Sequence, residues 1–156
     1  MSFEQRLTSL GLTLPSPPQP VATYVPSVRV GDLLFISGVV PSREGQIVFQ
    51  GKVGGDLSKE EGYEAAKVSL LNALANIRQA AGSLDRVQRI VKMTGYVASH
   101  EGFNEQPYVI NGASDLLVAI FGEAGLHARA AVGVAELPMS VPVELELTVQ
   151  LLPGDS

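Results

Sequence analysis

An arginine set among small residues is the first candidate for chemistry. In Ala128-Arg129-Ala130-Ala131-Val132-Gly133-Val134-Ala135 the neighbours leave room beside the side chain. A guanidinium fork there suits bidentate binding of a carboxylate. After a turn through Leu137-Pro138-Met139-Ser140-Val141-Pro142 comes Glu144, on the strand that follows. Both residues also have plainer readings. Arg129 could form a surface or interface salt bridge with Glu144 or Glu146, and Glu144 could sit on the solvated face of an edge strand. Weaker candidates are Tyr24, otherwise a packed aromatic, and Ser37-Gly38, which interrupts an apolar strand where a backbone can be approached closely. Asn111-Gly112 is first a turn or helix-start signal, and His127 would share the face of Arg129 in a strand or decorate its loop.

Motifs pointing elsewhere are missing. No G-x-G-x-x-G follows a strand. The stretch Gly45 to Gly51-Lys52-Val53 has five residues between its glycines where a phosphate loop has four, and no Ser or Thr to hold magnesium. Gly112-Ala113-Ser114-Asp115-Leu116 lacks the second glycine of a nucleophile elbow. The absence of cysteine excludes a disulfide framework, a thiolate metal site and a Cys nucleophile together. His100 and His127 are too few for zinc unless carboxylates complete the set. Neither a metal nor a cofactor is therefore expected. A net charge of −5 argues against nucleic acid as a partner. No apolar run approaches the ~20 residues of a membrane span. Met1 to Gln5 lacks the basic and apolar regions of a signal peptide, so a cytoplasmic protein is expected.

The elements that must position these residues can be read from their periodicity. The 156 residues fit one domain, 1–156, with residues 1–19 as an N-terminal extension. Ser2 to Leu10 could form a short helix with Phe3, Leu7 and Leu10 on one face, and Pro15 to Pro20 must be extended. A Val30-Gly31-Asp32 turn leads into a strand ending at Val40. Leu33, Phe35 and Val39 should face one way there, and Leu34, Ile36 and Val40 the other. Residues 44–51 suggest a turn feeding a further short strand. Ser58 and Glu61 form a capping box ahead of a helix reaching about Ala81, with Gly82 as its C-cap. A turn and strand follow over Leu84–Ala98, then a helix over about Tyr108–Gly122. Two strands close the chain, Arg129–Ala135 and Val143–Leu152, the second alternating sharply. The order β-β-α-β-α-β-β, with hairpins at both ends, predicts an α+β fold, a mixed sheet with two helices on one face. Two helices cannot cover both faces of such a sheet, so association through the uncovered face is expected.

The ordered series Phe35-Ile36-Ser37-Gly38, Asn72-Ala73-Leu74 and Arg129…Glu136-Leu137-Pro138…Val143-Glu144-Leu145-Glu146 resembles the RidA/YjgF/UK114 family over roughly residues 20 to 152. Asn111-Gly112-Ala113-Ser114-Asp115-Leu116 and His127-Ala128-Arg129 place the likeness closest to a longer branch. The resemblance implies a chorismate-mutase-like (YjgF) fold and a homotrimer with three clefts between subunits. It implies hydrolysis of imines and enamines of 2-oxo acids, such as 2-aminoacrylate. Arg129 matches the arginine that grips the substrate carboxylate, and Glu144 the glutamate that positions water. Tyr24, Ser37, Gly38 and Asn111 match cleft positions, and Ala131 stands where many members have cysteine. The first 19 residues and the stretch from Arg43 to Leu57 depart from the short members and could reshape the cleft mouth. Two other classes follow from the same residues. A binder or sensor of 2-oxo acids would need Arg129 but not Glu144, and a ribonuclease is disfavoured by the charge and by the lack of a histidine pair.

Overall fold

The computed structural model describes residues 1–20 and 22–154. A five-stranded sheet in the order β1-β2-β7-β5-β6 carries the two long helices on one face. The strands are β1 (Ser27–Val30), β2 (Leu33–Val39), β5 (Val87–Ala98), β6 (Ala128–Val134) and β7 (Val143–Leu151). The remaining two, β3 (Ser42–Arg43) and β4 (Gln46–Ile47), form a small ribbon of their own. Helix α2 (Lys59–Ala81) lies over β2 and β7, and α3 (Gln106–Phe121) over β5 and β6. The expected α+β architecture is present.

Local signals explain the helices. Ser58 accepts the Glu61 amide while the Glu61 side chain accepts the Ser58 amide, and Gly82 ends α2 at φ +91, a left-handed cap that glycine adopts without strain. In β7, Val143, Leu145, Leu147, Val149 and Leu151 are all buried against the helices. Full burial of each such side chain contributes about 1.5–3 kcal/mol, so this strand is a major organiser of the core.

Pairing departs from the sequence expectation in three places. The partner of β2 is β1, across the Gly31-Asp32 turn, and the later short strand pairs only with β3. The two last strands do not form a hairpin. β7 inserts between β2 and β5, antiparallel to both, while β6 runs parallel to β5 after the α3 crossover. The strand with the fully apolar inner face takes the centre, and the small-residue strand takes an edge. Finally, the register of β2 on β7 shifts between Ile36 and Val39. That bulge turns Val39 inward with Leu34 and Ile36, not outward with Leu33 and Phe35 as expected.

The N-terminal segment is anchored. Helix α1 (Phe3–Ser9) buries Leu7 and sets Phe3 edge-on against Phe121, 4.8 Å between centroids, whereas Leu10, expected on the same face, is exposed. The Glu4 carboxylate accepts from Arg78 Nη2 at 2.6 Å and Nε at 3.1 Å, and from the Leu84 amide at 2.9 Å. Burial tends to raise the Glu4 pKa. The hydrogen bonds from Arg78 and Leu84 and the arginine charge outweigh it and hold the carboxyl below its usual value. The stability this gives is present above the ordinary carboxylate range and is lost as pH falls through the depressed value. Glu4→Gln is expected to cost about 1 kcal/mol at pH 7, because the pair is partly screened by solvent. Urea denaturation at pH 7 and in acid should show that difference shrinking in acid; a constant difference would assign it to packing.

Candidate functional site

The bulge in β2 builds one wall of a cavity of about 420 Å³. Tyr24, Ser37, Gly38 and Glu144 all line it, with Asn76 from α2 and Met139 from the turn before β7. Pro18 and Pro20 bring the extended N-terminal connector to the same space. A β-carbon on Gly38 would overlap Oε2 of Glu144 and lie 3.1 Å from its carboxyl carbon. Glycine therefore lets the carboxylate rest on the β2 backbone. The Ser37 hydroxyl is already engaged, donating to the Val25 carbonyl at 2.6 Å.

Glu144 is half-buried and accepts no hydrogen bond from any described residue. Burial foremost, and then the charge of Glu146, push its pKa above the usual carboxylate value of 4.5. Glu146, two residues on, accepts instead from the Tyr96 hydroxyl at 2.8 Å. The wall at Met139 is strained: Met139 and Ser140 both adopt left-handed backbone, at φ +59 and +58. Gln50 Nε2 donates to the Met139 carbonyl at 3.0 Å and the Gly51 amide to the Ser140 carbonyl at 2.8 Å, so the 43–57 stretch braces this turn.

Arg129 lies elsewhere. It pairs with Met93, which shares the helix-covered face with Leu147, whereas Glu144 pairs with Tyr96 on the open face. Successive residues of a strand point to opposite faces, so the two side chains project on opposite sides of the sheet, with β5 between their strands. Arg129 Nη1 donates to Asn111 Oδ1 at 2.7 Å and Ser114 Oγ at 3.1 Å, and forms no ion pair among the described residues. The alternative reading, a salt bridge from Arg129 to Glu144 or Glu146, is thus not made within one protomer among the described residues. His127 joins this group, its Nε2 3.0 Å from Ser114 Oγ and its Nδ1 2.7 Å from the Gly125 carbonyl. A shallower depression lined by Ser114, Asp115, His127 and Arg129 opens here. Ala131 shares the face of Arg129 and packs against the core. One protomer therefore holds the candidate residues in two separate groups: Tyr24, Ser37, Gly38 and Glu144 in one, Asn111 and Arg129 in the other.

A family profile described as "YjgF/chorismate mutase-like, putative endoribonuclease" matches residues 4–148. The chain belongs to the RidA/YjgF/UK114 family. The RidA/YjgF relatives include TCP17 of Trypanosoma cruzi, 42% identical over 146 residues, which covers 93% of this chain and 91% of that protein. A solved Shewanella oneidensis structure superposes with a TM-score of 0.94 at 36% identity, covering 97% of this chain and 100% of that one. More distant is a protein of Dermatophagoides farinae named 2-iminobutanoate/2-iminopropanoate deaminase, 26% identical over 138 residues, covering 88% and 93%. Escherichia coli TdcF, solved with bound serine, is 25% identical with a TM-score of 0.62, covering 85% and 91%.

Sequence reasoning did not single out every residue of these two groups. Ser114 lies three residues beyond Asn111 on α3, a spacing that puts both on one helix face beneath Arg129. Asn76 and Met139 gave no such signal. One sits inside an apolar helix face and the other in a turn whose unusual backbone is set by tertiary contacts.

Proposed function

We propose that the protein hydrolyses reactive 2-imino and enamine acids to 2-oxo acids and ammonia, in clefts between the copies of a homotrimer. The observation that carries this reading is the complementarity of the two half-sites. One offers a guanidinium whose Nε has no partner among the described residues; the other offers a half-buried, unpaired carboxylate beside a cavity. They lie toward opposite edges of the sheet, β6 on one side and the exposed end of β2 on the other. A head-to-tail contact brings the Arg129 edge of one copy to the Glu144 cavity of the next, and three such contacts close a ring. Val28, Val30, Leu33, Phe35 and Val132 are exposed on the uncovered face and supply apolar surface for that contact.

In such a cleft Arg129, steadied by Asn111 and Ser114, holds the substrate carboxylate in a bidentate grip. The imine carbon beside the carboxylate is already electrophilic. In the protonated imine, water adds to that carbon as Glu144 takes one of its protons and the C=N π pair passes to nitrogen, giving a carbinolamine. Glu144 then returns the proton to nitrogen and takes the one on the new hydroxyl as the C–N bond breaks and the C=O forms, so ammonia leaves with a 2-oxo acid behind. The enamine 2-aminoacrylate enters the same sequence after tautomerising to its imine. The deaminase name of the mite relative and the serine held by TdcF, a small carboxylate ligand, support this chemistry. RNA is a poor fit to a chain of net charge −5 whose cavity presents a carboxylate.

The test is ammonia release from 2-aminoacrylate generated in situ, with light scattering alongside. Faster release from a trimer is the expected result. Binding of 2-oxo acids without acceleration would make the protein a sensor, and a stable monomer would remove the shared cleft.

A further inference from the structure

The guanidinium of Arg129 is held without being neutralised. Its two acceptors at Nη1, Asn111 Oδ1 and Ser114 Oγ, are both uncharged, and it forms no ion pair among the described residues. Asp115 lines the same depression, but it accepts from the Tyr63 hydroxyl at 2.8 Å. Nη2 reaches only the Pro107 carbonyl, at 3.5 Å, so the Nε–Nη2 edge is left for a carboxylate. Of the two acceptors, only Ser114 can point the wrong way. A hydroxyl donates or accepts and rotates to suit, whereas the amide oxygen of Asn111 can only accept.

His127 fixes its direction. Nδ1 lies 2.7 Å from the Gly125 carbonyl, which only accepts, so Nδ1 carries a proton. In the neutral ring Nε2 is then an acceptor, and the Ser114 hydroxyl, 3.0 Å away, donates to it. The serine oxygen is left with its lone pairs for the Arg129 N–H. The far end of this chain is itself held in place. A β-carbon on Gly125 would overlap the Leu117 carbonyl, so the turn Gly122–Gly125 lies directly on α3. We infer that His127 is a positioning residue for the carboxylate grip, acting on Arg129 through Ser114. The inference rests on the deaminase reading above and adds a residue to the same site.

Two substitutions separate the ring nitrogens. The amide of His127→Asn reaches the place of Nδ1 and keeps the Gly125 bond; that of His127→Gln reaches the place of Nε2 and keeps an acceptor for Ser114. Ammonia release from the alanine imine, generated in situ by an amino-acid oxidase, gives kcat and KM, and calorimetry with pyruvate reads the carboxylate grip alone. His127→Asn should raise KM and the pyruvate Kd by about 3–10-fold with kcat within ~2-fold of wild type, as expected when one uncharged hydrogen bond serves ground and transition state alike. His127→Gln should stay within ~2-fold of wild type in all three. Adding His127→Asn to Ser114→Ala should change nothing further, because the link passes through the hydroxyl. Should the asparagine variant fail to fold, His127→Leu takes its place in that comparison. An unchanged KM and Kd in His127→Asn, a larger loss in His127→Gln, or losses that multiply in the double variant overturn the inference and leave the deaminase reading standing. Pyruvate binding that weakens in the expected order, without turnover by wild type, upholds the positioning role and removes the deaminase; absence of both binding and turnover removes both.

Discussion

Glu144→Gln is expected to lose turnover by about 10²–10⁴-fold and yet to melt at a higher temperature than wild type at pH 7. Both effects come from one environment. The carboxylate rests half-buried against Gly38, with no described donor to stabilise its charge and with Glu146 close along the strand. Burial first and then the neighbouring charge raise its pKa. A raised folded-state value means that the native protein binds this proton more tightly than the unfolded chain does. The stability linked to that proton is fully present below 4.5 and is lost as pH rises through the folded-state value. At pH 7 wild type carries the unfavourable ionised group, and a glutamine that does not titrate escapes it. The gain in melting temperature should therefore vanish when both proteins are melted in acid. Activity runs the other way, because a general base must be ionised. The wild-type rate should fall on the acid side at a pH above the usual carboxylate value of 4.5, and the residual rate of the variant should lack that limb. Full turnover together with an unchanged melting temperature would return Glu144 to the solvated edge of a strand.

Some of this was legible in the sequence because it is local. The Ser58–Glu61 box, the Gly82 cap and the alternation of Val143 to Leu151 each depend on residues within a few positions of one another, and each appears as read. What the sequence does not display is which strands become neighbours. Arg129 and Glu144 are consecutive-strand residues, which suggests adjacency, but β7 leaves β6 and crosses to the far side of β5. The choice depends on the buried area of the whole β7 face, a sum over the fold. The close approach at Gly38 was signalled by its glycine, yet the bulge and the inward turn of Val39 follow only once β2 is registered on β7. The candidate residues were readable one by one. Their division between two faces was not, since it is a property of topology.

That division gives the second large effect. Arg129→Ala alone is expected to abolish accelerated ammonia release, as Glu144→Gln nearly does, but a mixture of the two inactive proteins should recover activity. The reasoning is geometric. If every cleft takes its guanidinium from one copy and its carboxylate from the next, a ring containing both variants can place an intact Arg129 opposite an intact Glu144. With equal amounts and random exchange, roughly a third of the clefts in mixed rings and a quarter of all clefts are of that kind, so activity should return to about a quarter of wild type. Subunits must be exchanged by mild denaturation and refolding, or co-expressed with two tags, and mixing without exchange should restore nothing. A cleft formed within one protomer predicts the opposite, because each copy then carries one lesion in its own site and no arrangement repairs it. Arg129→Lys refines the result. An ammonium retains the charge but not the fork that donates to Asn111 and Ser114 while gripping a carboxylate, so its loss should fall mainly on KM. Recovery in the mixture would establish a shared cleft with a guanidinium on one side and a carboxylate on the other. Its absence after proven exchange would break the link between the two half-sites, and the hydrolytic reading with it.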